Sequence, residues 1–188
     1  MNFIKTEIPE VVVIEPTVFG DERGYFFESF SKKQFDDNII ETEFVQDNES
    51  KSSYGVLRGL HYQLPPFAQS KLVRVIEGKV LDVAVDIRKG SPTFSKYIAV
   101  ELSSDNKKQM FIPRGFAHGF VVLSDKAIFA YKVDNIYNRD SEGSFKYNDT
   151  ELNIDWKIKS ENIQLSQKDK EAIDFKDAVL FNYNEKLY

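Results

Sequence analysis

The chain has 188 residues, 41% hydrophobic and 29% charged, with no cysteine, two histidines, and 25 Lys and Arg against 30 Asp and Glu for a net charge of −5. That composition fills one domain with a single core, and it excludes a disordered chain, disulfides, zinc ribbons, thiol nucleophiles and any site that takes three imidazoles from one protomer. The acidic balance argues against a nucleic-acid partner, the longest apolar runs (Val11 to Ile14, Val121 to Leu123) are too short to span a bilayer, and no signal-peptide pattern opens the chain, so a cytoplasmic protein without a membrane partner is expected.

Aromatic residues are 14% of the chain, and β-branched residues gather in short runs parted by Gly, Pro, Asn, Asp and Ser, the texture of strands. In chain order the first run is Val11 to Ile14. Ser31-Lys32-Lys33-Gln34 before Phe35 fits a capping-box start, which predicts a short helix. The segment Phe44 to Gln63, FVQDNESKSSYGVLRGLHYQ, reads as a hairpin whose polar middle, Gln46 to Lys51, is a solvated connection. In its second half, period two places Arg58, Leu60 and Tyr62 on one face and Gly59, His61 and Gln63 on the other. Each face then mixes polar with apolar groups, as the wall of a groove would.

Lys71 to Ile76 and Lys79 to Arg88, joined at Glu77-Gly78, read as a second hairpin. In its second run Leu81, Val83, Val85 and Ile87 alternate with Asp82, Ala84, Asp86 and Arg88, giving one core face and one polar face. Tyr97 to Leu102, Met110 to Ile112, Phe116 to Leu123 and Ala127 to Val133 follow, the last two joined by the turn Ser124-Asp125-Lys126. Ser166-Gln167-Lys168-Asp169 before Ala172 is a second capping-box start. Strands at this spacing predict an all-β sandwich or barrel with short flanking helices. One domain over residues 1–188 is expected, with a β core over about 10–135 and a polar, irregular or helical appendix over about 137–188.

The second polar signal is Phe111-Ile112-Pro113-Arg114-Gly115-Phe116-Ala117-His118-Gly119-Phe120, in which Pro113 and Gly115 turn the backbone ahead of His118. Its P-x-G-x-x-H resembles the second half of the cupin signature. The set FGDERGYFFESF, FVQDNESKSSYGVLRGLHYQ, KLVRVIEGKVLDVAVDIRKGSPTF, IPRGFAHGF, YK and LSQKD, collinear from Phe19 to Asp169, resembles the dTDP-4-dehydrorhamnose 3,5-epimerase family. Several segments in fixed order are far more specific than one motif.

The resemblance implies a cupin jelly-roll sandwich, no cofactor and no metal. It implies a reaction that moves protons at C3 and C5 of a dTDP-4-keto-6-deoxysugar, both next to the C4 ketone, within dTDP-rhamnose biosynthesis. Such chemistry takes a base, an acid, a donor at the enolate oxygen and anchors for the diphosphate. By the same resemblance His61 is the base, and imidazole as a class titrates near neutrality. Asp169 is the carboxylate that orients it, and it also stands where a capping-box acid would. Tyr131 is the acid, although a strand tyrosine is ordinarily core. Lys71 stabilises the enolate, or else protects a strand edge; Asp82 on the next strand would fix that lysine.

Arg23, Glu28, Gln46, Asp47, Asn48, Arg58, His118, Glu142 and Lys168, with Lys71, correspond to the family's substrate contacts. Arg23 and Arg58 suit the diphosphate because a guanidinium fork meets phosphate oxygens in pairs. Phe19 and Phe26, around the Gly20 to Gly24 turn, would stack on the thymine; for Phe26 plain core is the competing expectation. The resemblance also implies a homodimer, across which Val11 to Ile14 would pair. Rival readings are an epimerase acting at C3 or C5 alone, a metal-dependent cupin and a sugar-binding jelly-roll module.

Overall fold

In the computed structural model, which describes every residue from Met1 to Tyr188, two antiparallel sheets face each other. The elements in chain order are β1 (Asn2–Lys5), β2 (Val12–Glu15), β3 (Val18–Asp21), β4 (Gly24–Phe27), α1 (Lys32–Asn38), β5 (Gln46–Ser53), β6 (Leu57–Gln63), β7 (Lys71–Glu77) and β8 (Lys79–Asp86). They continue with β9 (Arg88–Lys89), β10 (Tyr97–Ser103), β11 (Gln109–Ile112), β12 (Phe116–Val122), β13 (Lys126–Val133), β14 (Glu142–Ser144), α2 (Gln167–Lys170) and β15 (Phe181–Asn182). One sheet has the order β1-β2-β11-β7-β13-β5, the other β10-β8-β12-β6-β14. This is the predicted all-β jelly-roll sandwich with short flanking helices. No helix is long and apolar enough to cross a membrane.

The predicted strands are present, but three tight connections do something other than form hairpins. β5 and β6, β7 and β8, and β12 and β13 each lie in different sheets, so each connection is a corner from one layer to the other. Gly78 shows why glycine is needed at such a corner: at φ +80°, a Cβ there would fall 2.0 Å from the Lys126 carbonyl oxygen. Hairpins and corners share turn residues and flanking alternation, and only the partner strands distinguish them. The polar stretch from Gln46 is likewise not a solvated connection but the edge strand β5, paired along its whole length with β13.

β8 also departs from the one-core-face pattern. Leu81, Val83, Val85 and Ile87 pack against Phe145, Trp156, Phe175 and Phe181 of the C-terminal segment. The opposite face, with Val80 and Ala84, joins Val73, Val75, Phe120 and Phe129 between the sheets. Both faces are therefore interior, and the polar residues on the second one, Asp82 and Asp86, are buried. Asp86 is held by Arg88 at 2.8 Å. The C-terminal segment adds β14 beside β6 and packs its Phe145, Trp156, Phe175 and Phe181 over the outside of the five-stranded sheet.

Both predicted helices form. In α1 the Ser31 side chain makes no cap bond, and Phe35 buries against Phe111 and Phe44. In α2 Ser166 accepts from the Asp169 N–H, as a capping box requires. Of Val11 to Ile14, Val12 to Ile14 fall in β2, which has β1 on one side and β11 on the other. It is a buried interior strand and has no free edge to offer a second copy.

Candidate active site

A cavity of about 590 Å³ opens between the sheets, within the usual range for small-molecule sites. His61, Arg58, Lys71, His118, Tyr131, Lys168 and Asp169 line it, with Phe120, Phe129 and Leu165 as apolar wall. Strict alternation would have kept Arg58 and His61 on opposite faces of β6. A bulge prevents this: β12 runs His118 to Phe120 opposite His61 to Arg58, so Gly59 and Leu60 together oppose Gly119. The extra residue reverses the phase. Leu57, Leu60 and Tyr62 turn to the outer core, while Arg58 and His61 share the cavity. Only glycine fits the bulge, because at φ +126° a Cβ on Gly59 would stand 2.5 Å from the Gly119 Cα.

The bulge also sets His61 against α2. His61 Nε2 lies 2.6 Å from Asp169 Oδ1, with 27% of the imidazole and 4% of the carboxylate side chain exposed. The second oxygen, Oδ2, accepts the Ser166 hydroxyl at 2.6 Å. Asp169 thus pairs with His61 through one oxygen and with the hydroxyl, not the backbone N–H, of its N-cap serine through the other. Burial pushes its pKa up, but the bonds from His61, Ser166 and the Gly59 N–H outweigh burial and hold it below the usual range. An ionised Asp169 fixes the tautomer with Nε2–H, which leaves Nδ1 free to take a proton.

Across the cavity, β7 supplies Lys71. Burial lowers its pKa to about 8, against the pull of Asp82 and Glu142 and with the repulsion of Lys168. β13 supplies Tyr131, whose pKa burial and the nearby Glu142 raise while Arg58 lowers it. The net effect keeps the phenol protonated. β12 holds His118 beside His61 in register, with Nε2 at 2.8 Å from Asp82 Oδ1. Burial takes the His118 pKa down although Asp82 pulls it up, and burial takes Asp82 up. Asp82 therefore hydrogen-bonds His118 rather than Lys71, and its other oxygen has no hydrogen-bond partner; its effect on the lysine is attraction across the cavity wall.

The remaining expected contacts divide. Arg58 is braced by Ser52 Oγ at 3.2 Å from both Nε and Nη2, and Asn48 lines the cavity, accepting from Gln46 Nε2 at 2.7 Å. Lys168 and Glu142 are ion-paired at the rim, and Tyr137 donates to Glu142 at 3.2 Å. Asp47 points to the other side of the sheet and binds Lys132 at 2.8 Å, as the pleat dictates. Arg23, Glu28, Phe19 and Phe26 are not in the cavity of their own chain. Glu28 accepts from Gln34 at 3.1 Å, and Arg23, with its side chain 85% exposed, pairs with Asp21. Phe19 and Phe26, 63% and 69% exposed, face each other across the isolated β3–β4 hairpin, so Phe26 is not core.

Phe120 and Phe129 lie outside the expected contacts, and Ser166, expected only as a helix cap, lines the cavity as well. Phe120 and Phe129 stack at 4.2 Å, and each stands two residues from a cavity residue on its strand, His118 or Tyr131, a signal that period two could have supplied. No group of three or more His, Cys, Asp or Glu that could hold a metal ion occurs in the structure.

An imidazole paired with a buried carboxylate, a lysine of lowered pKa and a protonated tyrosine around one cavity are groups able to move a proton at a carbon next to a carbonyl. Fold and site together define a cupin-like acid–base enzyme. The family model described as dTDP-4-dehydrorhamnose 3,5-epimerase matches residues 5–177, and the chain belongs to that family. The dTDP-4-dehydrorhamnose 3,5-epimerase of Shigella flexneri is 57% identical over 96% of this chain and 99% of its own length. A crystal structure of the Elizabethkingia anophelis enzyme of that name is 56% identical with a TM-score of 0.89, covering 94% and 97% of the two chains. The Legionella pneumophila dTDP-6-deoxy-D-glucose-3,5-epimerase, solved with dTDP-4-keto-L-rhamnose, is 50% identical with a TM-score of 0.94, covering 98% and 99%.

Proposed function

We propose that the chain converts dTDP-4-dehydro-6-deoxy-D-glucose to dTDP-4-dehydro-L-rhamnose, with His61 as base, Lys71 as enolate stabiliser and Tyr131 as acid. The observation that carries this assignment is the His61–Asp169 pair at 2.6 Å, opening onto the same cavity as Lys71 and Tyr131. His61 removes the proton at C3 or C5. The electron pair moves onto the C4 oxygen, where the Lys71 ammonium meets the developing charge. Tyr131 returns a proton from the opposite side, and a proton on each carbon's new face completes the inversion. Arg58 and Lys168 provide cations for the diphosphate at the rim.

The enzyme acts as a homodimer in this reading. The β3–β4 hairpin pairs only with itself and holds Phe19, Tyr25 and Phe26 out to solvent, a surface that calls for a partner. We assign it to the cavity of a second copy, where Phe19 and Phe26 would take the thymine and Arg23 the diphosphate. A charged diphosphate ester does not cross a bilayer, so the enzyme works where its substrate is made, which we take to be the cytoplasm.

The test is NMR of dTDP-4-dehydro-6-deoxy-D-glucose in deuterated buffer. Wild-type protein is expected to place deuterium at C3 and C5 and to form the L-rhamno product, and His61→Ala to do neither. Exchange at one carbon alone would make the chain a single-centre epimerase. Full exchange by His61→Ala would remove His61 as the base. Mixing Arg23→Ala with His61→Ala chains should restore part of the activity if the hairpin serves the partner's cavity, and no restoration would reject that assignment.

A further inference from the structure

Arg114 belongs to the IPRGFAHGF segment, yet nothing in the reaction uses it. It sits in the turn between β11 and β12, at the end of the six-stranded sheet where Lys71 pairs with Ile112 on one side and Val133 on the other. The chain continues from each of these positions into one polar knot. Asp134, next after Val133 and with no exposed side-chain surface, accepts the Ser70 N–H at 2.6 Å. It also accepts the Thr42 hydroxyl at 3.0 Å and Arg114 Nε at 3.2 Å. Arg114 Nη1 donates to the Leu187 carbonyl at 2.5 Å, and its guanidinium lies 4.9 Å from the centre of the Tyr188 ring.

Tyr188 closes the knot. Its hydroxyl accepts the Arg114 N–H at 3.1 Å and lies 2.6 Å from Ser70 Oγ. Ser70 is fully buried and directly precedes Lys71. A single phenol therefore ties the residue before the lysine to the turn that leads into His118.

We propose that Tyr188 is a positioning residue, which through Ser70 and Arg114 holds Lys71 at the place where the enolate oxygen forms. The inference rests on Lys71 acting as the enolate stabiliser. Positioning is worth this much structure because an ammonium displaced by a fraction of an ångström loses both its distance to the developing charge and its shelter from water. Around Lys71 the charged and titratable groups are Asp82 on β8, His118 on β12, Glu142 on β14 and Lys168 on α2, with His61 on β6 and Tyr131 on β13 across the cavity. The clasp acts at the backbone end of the lysine, through Ser70.

The experiment compares Tyr188→Phe and Ser70→Ala with wild type for kcat, KM, the pH profile of kcat/KM and thermal midpoint. Tyr188→Phe keeps the ring over Arg114 and removes only the hydroxyl. Expected is a fall in kcat of roughly 3- to 10-fold with KM within about twofold, and a displaced alkaline limb, in both variants. Unchanged kcat and pH profile overturn the proposal even if the thermal midpoint falls, since the clasp would then serve stability alone. A rise in KM without a change in kcat overturns it too. Lys71→Met separates the two levels: if it keeps turnover, the role of Lys71 fails; if it loses turnover while both clasp variants keep it, only the clasp fails.

Discussion

Lys71→Met is expected to stabilise the protein while stopping the reaction. The lysine titrates at about 8 in the fold against an ordinary 10.5. That difference, at about 1.4 kcal/mol for each factor of ten, corresponds to about 3–4 kcal/mol by which the fold disfavours the charged amine at pH 7. Water at the cavity mouth screens part of this cost, so we expect about 1–3 kcal/mol from replacing the ammonium by a thioether of similar length. The sign follows from proton counts. Between pH 8 and 10 the unfolded chain holds the proton that the fold has released, so wild-type stability rises with pH there and is flat just below 8. Tyr62, raised by burial to about 12, and Tyr131 and Tyr188, also raised by burial, work in the opposite direction as the pH nears 10, where unfolded phenols begin to ionise, so the effect of Lys71 is read as the difference between wild type and the Met variant. Urea denaturation at pH 7, 8 and 10 measures the effect, and the Met variant should lose the rise. Turnover should fall about 10²- to 10³-fold, the usual cost of one oxyanion donor. A Met variant no more stable than wild type at pH 7, or a wild type that gains no stability relative to the Met variant from pH 8 to 10, would refute the reasoning.

Three further substitutions probe the other parts of the site. Tyr131→Phe should leave deuterium wash-in to recovered substrate within about threefold while product formation falls by about 10²-fold or more, since only the return of the proton is lost; equal loss of both sends the acid role elsewhere. Ser166→Ala removes the cap acceptor and the hydroxyl on Asp169, so about 1 kcal/mol of stability and roughly 3- to 10-fold in kcat should go, with KM unchanged. A kcat equal to wild type would mean that Asp169 holds His61 without help. Gly59→Ala forces a Cβ to within 2.5 Å of Gly119, and a cost above about 2 kcal/mol in denaturation is expected; a wild-type midpoint would contradict the bulge.

Strand positions were legible because period-two alternation and turn residues are local, and β7, β8, β10, β11, β12 and β13 fall where those signals put them. Sheet membership is not local. The steps at Gly55, Gly78 and Ser124 to Lys126 carry hairpin chemistry, yet each crosses between sheets, and that crossing makes a cavity between the layers at all. A hairpin reading would have kept Lys71 and Asp82 on one sheet; the corner at Gly78 instead puts the lysine on one wall and the carboxylate on the other. The same limit explains the faces of β6. Alternation separates Arg58 from His61, and a single inserted residue reunites them, but an insertion is defined only against a partner strand that the sequence does not announce. Resemblance supplied what periodicity could not, above all Asp169 as the partner of His61 across 108 residues. It also carried over Arg23, Glu28, Phe19 and Phe26, which in one chain face away from the cavity. Residues that match a site in sequence but stand outside it in the folded protomer are what a site shared between two copies would produce, and the mixing of Arg23→Ala with His61→Ala chains tests that directly: each chain lacks a different half, and only a shared site can assemble one whole one.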